Sequence, residues 1–114
     1  MDWRRIPSLS ALRAFEAQAR LGGFTAAARD LNVTQAAIAQ HVRALEAHFG
    51  TDLVTRAGRG MALTPAGQHL AATLSEGFGA IEAGVSALLD ADAARPLVVS
   101  LTPAFAENWL MPRL

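Results

Sequence analysis

Apolar residues recur along this chain at helical spacing, and glycine, proline and hydroxyl residues punctuate the rows. Leu9, Leu12, Phe15 and Ala19 form a first row behind Ser8, whose hydroxyl suits an N-cap. Leu21-Gly22-Gly23 ends that helix, glycine being the usual left-handed C-cap. Phe24-Thr25 opens a second, short helix, with Thr25 as its cap and Ala26 to Leu31 as its body. Asn32-Val33-Thr34 breaks it, and Thr34 caps a third helix over 35–49 that stops at Gly50. Three helices in close succession, the last two separated by a three-residue turn, predict a helix-turn-helix.

The third helix has two unlike sides. At about 100° per residue, Val42, Leu45 and Phe49 fall within about 40° of Ile38, so one narrow stripe holds its large apolar side chains. Ala36, Gln40, Arg43 and Ala47 lie about 140° to 200° away from Ile38 on the same wheel. Small residues there permit close approach to another surface, while Gln and Arg can pair with base edges or phosphates in a major groove. An ordinary amphipathic helix also has a polar side. The short preceding helix and tight turn favour the groove-reading interpretation.

Beyond Gly50 the pattern changes. Leu53-Val54-Thr55-Arg56 and Met61-Ala62-Leu63 read as two short strands around Gly58-Arg59-Gly60, a hairpin with Arg59 at its tip. An arginine flanked by glycines can reach a phosphate without a bulky neighbour, although an inconsequential loop arginine would look the same. Thr64-Pro65 then has the cap-and-first-turn order of a long helix, predicted over 65–90. Leu70, Leu74, Ile81 and Leu88 share a stripe with Phe78, Val85 and Leu89 beside it, and Gly77 and Gly84 on its edge. So broad an apolar face requires a partner, most economically a second copy of the chain. Residues 91–95 read as a hinge. Leu97 to Leu101 reads as a strand apolar on both faces, followed by a short helix with Phe105, Trp109 and Leu110. Such a strand belongs inside a larger α/β domain, so the chain is expected to stop just inside a second domain.

Composition narrows the functional classes. With 114 residues, 52% of them hydrophobic and 18% charged, the chain suits one compact domain rather than a solvated disordered segment. No run approaches the ~18 apolar residues of a membrane span, and Met1 to Pro7 lacks a secretion-signal pattern. Without cysteine there is neither a disulfide framework nor a thiolate metal site, and a cytoplasmic location is expected. The zero net charge is uneven: residues 1–67 carry eight arginines against five acids, net +3, and residues 68–114 carry two against five, net −3. All ten cations are arginine, a side chain suited to bidentate contact with phosphate or guanine. His41 and His48 are seven residues apart on one helix, about 10 Å, which is too far for a shared metal. Glu16, Glu46, Glu76 and Glu82 occupy solvent-type positions with no converging partner. No phosphate loop, dinucleotide fingerprint or nucleophile elbow is present, so neither catalysis nor a cofactor or metal is expected.

The run Phe24-Thr25-Ala26-Ala27-Ala28, then Leu31 to Val42, resembles the helix-turn-helix of LysR-type transcriptional regulators. The likeness continues through Leu45-Glu46, Gly50, Leu53, Arg56, Arg59, Leu63-Thr64 and Gly67, covering residues 6 to about 90. The tail with Trp109 to Leu114 is similar to the start of the family's effector domain, most of all in the glycine-cleavage activator subgroup. The resemblance implies a mainly α fold: a winged helix-turn-helix of three helices and a two-stranded wing over 1–64. A dimerisation helix over 65–90 and a truncated effector-domain unit over 91–114 follow. It implies dimerisation through antiparallel linker helices and binding of double-stranded DNA at an interrupted inverted repeat in promoters. By position, Thr34, Gln35, Ala36, Ala39, Gln40 and Arg43 would face DNA from the recognition helix, Thr25 from the helix before it, and Arg56 and Arg59 from the wing. Leu70, Leu74, Phe78, Ile81, Val85 and Leu88 would form the homodimer seam. A small-molecule effector is expected only where the rest of the effector domain is present. A shortened chain could alternatively pair with a full-length relative without activating transcription. Val54 departs from the family, which commonly has phenylalanine there, and implies looser wing packing.

Overall fold

A computed structural model describes residues 1–58 and 60–94 of the chain, with side-chain surroundings through residue 91. Arg59, the expected strand 97–101 and the helix with Phe105, Trp109 and Leu110 lie outside the described residues. The elements in order are α1 (Leu9–Leu21), α2 (Phe24–Leu31), α3 (Gln35–Phe49), β1 (Val54–Ala57), β2 (Gly60–Leu63) and α4 (Pro65–Ala94). This is the mainly helical winged arrangement that the pattern predicts. The chain divides into two compact units, Met1–Gly77 and Phe78–Leu114.

In the first unit, α1 packs on both α2 and α3, and α2 packs on α3. The core joins Leu12 and Phe15 of α1 to Ile38, Val42 and Leu45 of α3 and to Leu53 beyond it. Ala11, Ala14 and Ala17 of α1 and Ala27 and Ala28 of α2 are also buried, and their small side chains bring the helix backbones close. Burying one Phe or Leu of this set contributes about 1.5–3 kcal/mol. The helix ends are closed locally. The Ser8 hydroxyl accepts from the Ala11 N–H at 3.3 Å, and the Thr34 hydroxyl accepts from the Ala37 N–H at 3.0 Å. Asn32 ends α2 in the left-handed region (φ 58°), which asparagine tolerates better than most non-glycine residues, and this sets the tight turn into α3. His48 Nε2–H donates to the Arg5 carbonyl at 3.0 Å, tying the N-terminal segment to the end of α3.

Several positions differ from expectation. Thr25 is not a cap. The helix starts at Phe24 with Gly23 in the cap position, and the Gly23 carbonyl accepts from the Ala27 N–H, so Thr25 is an exposed first-turn residue. Leu9 and Phe49 share the wheel positions of core residues but are exposed, Phe49 by 40%, because each is the terminal residue of its helix and overruns the packing. Phe49 meets the His48 ring edge-on instead, centroids 5.1 Å apart. Helix α4 continues four residues past 90 to Ala94, since nothing in Ala91-Asp92-Ala93-Ala94 breaks a helix. No helix among the described residues is long and apolar enough to cross a membrane.

Candidate nucleic-acid interface

Helix α3 is held from one side only. Ile38, Val42 and Leu45 are fully enclosed by the core, whereas Gln35, Ala36, Gln40, Arg43 and Ala47 are exposed. Thr34 is exposed too, its hydroxyl engaged in the cap. Ala39 is half-buried, at the border between the core and the free side. Among the described residues, Gln40 and Arg43 spend no side-chain hydrogen bond or ion pair within the chain. The structure thus gathers Ala36, Gln40 and Arg43 on one open helix side, whereas Thr34 and Gln35 are exposed at the start of the helix. Thr25 stands apart from them on α2, and Arg56 on β1.

The wing is an antiparallel pair in the register Val54↔Leu63, Thr55↔Ala62, Arg56↔Met61 and Ala57↔Gly60. Strand β1 ends at Ala57 and β2 begins at Gly60. Gly58 takes φ 59°, the left-handed conformation a short hairpin turn needs and glycine adopts without strain. Arg56 is exposed on the face that also carries Met61. Leu53, just before β1, anchors the hairpin in the core, and Val54 is half-buried.

The base of the wing is tied to both neighbouring helices. The Leu53 and Val54 N–H groups donate to Glu46 Oε2 of α3 at 2.9 and 3.3 Å. The Gly50 and Thr51 N–H groups donate to the Glu46 carbonyl at 2.8 and 3.3 Å. On the other side, the Thr64 N–H donates to the Leu53 carbonyl at 3.0 Å, and the Thr64 hydroxyl donates to the Asp52 carbonyl at 2.7 Å. Thr64 Oγ1 also accepts from the Gly67 N–H at 3.0 Å, capping α4. Gly67 passes so close to the Leu53 carbonyl that a Cβ there would collide with it.

Two glutamates assigned to solvent positions are therefore structural. Glu46 lies about 80° from Ile38 on the wheel, flanking Val42, and that placement is the signal which identifies it. Glu16 is buried, with 8% exposure, and accepts from Arg20 Nε at 2.9 Å. Its i,i+4 spacing to Arg20 marks the pair in the sequence. The hydrogen bond and charge of Glu16 hold the Arg20 guanidinium above its usual value, with a smaller contribution from Asp30, 3.7 Å away on α2. No group of three or more His, Asp or Glu residues able to hold a metal ion is found among the described residues.

In α4, Leu70, Leu74 and Phe78 are half-buried, and Ile81, Val85 and Leu88 are largely exposed. The stretch from Gln68 to Ala94 carries Glu76, Glu82, Asp90 and Asp92 and neither arginine nor lysine.

Comparison with known proteins places this geometry. The sequence model of the bacterial regulatory helix-turn-helix proteins of the lysR family matches residues 9–68. The chain is 52% identical over 114 residues to the AhcY transcriptional activator HvrB of Rhodobacter capsulatus, covering all of this chain and 39% of that protein. It is 41% identical over 111 residues to the glycine cleavage system transcriptional activator of Escherichia coli K12, covering 97% of this chain and 36% of that protein. The chain therefore spans less than two-fifths of the length of these curated relatives. A crystal structure of the BenM DBD/catB site 1 DNA complex superposes with a TM-score of 0.67 at 26% identity, over 78% of this chain and 98% of that one.

Proposed function

This chain belongs to the bacterial regulatory helix-turn-helix proteins of the lysR family, and on that premise we propose that it binds promoter DNA as a homodimer. Residues 1–64 bind the duplex, with α3 in the major groove and Arg56 and Arg59 of the wing on the phosphate backbone. Gln35, Gln40 and Arg43 address base edges and phosphates, Ala36 and Ala39 allow close approach, and Thr25 and Thr34 contact the backbone at the two helix starts. Two copies pair through the apolar stripe Leu70, Leu74, Phe78, Ile81, Val85 and Leu88 of α4 and together address an inverted repeat.

The observation that carries the reading is the one-sided hold on α3: Gln40 and Arg43 stand exposed on the helix that Ile38, Val42 and Leu45 fix in the core. The superposable BenM structure is itself a DNA complex, and the curated relatives above are transcriptional activators. Selection of bound duplexes from a random pool, followed by sequencing, tests the proposal. Recovery of an interrupted inverted repeat is expected. A pool that shows no enrichment after repeated rounds overturns sequence-specific binding.

A further inference from the structure

The turn between α3 and β1 sends four N–H groups to one residue. Gly50 and Thr51 donate to the Glu46 carbonyl, and Leu53 and Val54 donate to the Glu46 carboxylate. The first pair already closes the helix, because Gly50 takes the left-handed cap conformation (φ 68°) and its N–H meets Glu46. The carboxylate contacts are additional to that closure. They hold the two residues at which the chain enters the wing, and bonds to an ionised carboxylate are about twice as strong as neutral ones. Glu46 is half-buried, so solvent competes for them less than at the exposed positions of α3.

Resting on the DNA-binding reading above, we infer that Glu46 is a positioning residue that fixes the angle between the wing and the recognition helix. The lever is long enough to matter. From Val54 to Arg56 the strand reaches ~7 Å, so a change of about 20° in its exit angle moves the Arg56 backbone by ~2 Å, most of the length of a hydrogen bond. Glu46 touches no nucleic acid in this scheme. It acts through Arg56, by setting whether that guanidinium meets a phosphate while α3 occupies the groove.

The test is a mutant cycle on the 114-residue chain, read by fluorescence anisotropy across a salt series with the duplex recovered from the selection and a random-sequence duplex of equal length. Glu46→Ala is expected to weaken binding by roughly 3- to 10-fold and to lower the salt slope by about one phosphate, as Arg56→Ala does. The pair Glu46→Ala/Arg56→Ala should lose less than the product of the two single losses, whereas Glu46→Ala and Gln40→Ala should multiply. Glu46→Gln, whose amide oxygen can accept the same bonds, should restore most of the affinity. Leu53 and Val54 amides should exchange faster in Glu46→Ala while the interior amides of α3 stay protected. If Glu46→Ala does not fold, Glu46→Asp, one methylene shorter and still charged, carries the same cycle. Multiplication with Arg56→Ala, together with an unchanged salt slope, reduces Glu46 to a stabilising residue and overturns the inference. A wild-type chain that binds neither duplex sinks the DNA-binding reading instead, and the amide exchange still reports whether the strut exists.

Discussion

Gln18 is 3% exposed on α1, and its Oε1 has no hydrogen-bond partner. A buried acceptor without a donor costs roughly 1–3 kcal/mol, so Gln18→Met, of similar length, is expected to raise stability by about 1 kcal/mol. Thermal denaturation reads it, and an unchanged or lower midpoint shows that the amide has a partner after all. Gln40 is the opposite case, exposed and uncommitted within the chain. Gln40→Ala should leave the melting temperature unchanged yet cost about 1–3 kcal/mol on the selected duplex and relax its base preference. Equal losses on selected and random DNA would refute base reading by this side chain. Arg59→Ala, by contrast, should weaken both duplexes evenly and reduce the salt slope by about one unit.

At the scale of elements, the most local signals were the most legible. Ser8 and Thr34 cap their helices because a hydroxyl three residues ahead of an unsatisfied N–H needs no tertiary help. Thr25 misled for the same reason in reverse: Gly23 supplies the cap position with its backbone alone, leaving the hydroxyl unused. Glu46 and Glu16 look solvated in the sequence because their partners, the N–H groups of the wing base and a guanidinium also facing Asp30, become adjacent only once the elements pack. Of the residues proposed to face DNA, the exposed side of α3 follows from helical periodicity, while the half-burial of Ala39 depends on how the neighbours fill the border. Gly67 belongs to this scale as well. Gly67→Ala drives a Cβ into the Leu53 carbonyl, which itself accepts the Thr64 N–H. Relief requires moving either the wing base or the head of α4. Overpacking of this kind costs about 1–3 kcal/mol, and a denaturant midpoint equal to wild type would show that the close approach is relaxed in solution.

For the whole molecule, the exposed apolar residues of α4 govern the outcome. Ile81 is 62% exposed within the chain, so a charge placed there does not enter the monomer's own core. Ile81→Asp should therefore leave the helical signal intact while shifting sedimentation toward the monomer, because an unpaired carboxylate would otherwise be buried between two helices. Binding to an inverted repeat should fall more than binding to a half-site, since only the former uses both copies. A wild-type chain that sediments as a monomer at micromolar concentration refutes the proposed pairing.

The separation of duties on α3 carries a consequence for how such a protein can be altered. Ile38, Val42 and Leu45 hold the helix, and Ala36, Gln40, Arg43 and Ala47 take no share in that packing. Substitutions on the outward side are thus cheap for folding, and under the proposed DNA-binding role the cost of a new recognition code falls almost wholly on affinity. A combinatorial library confined to those four positions should yield mostly well-folded proteins, each free to favour a different operator.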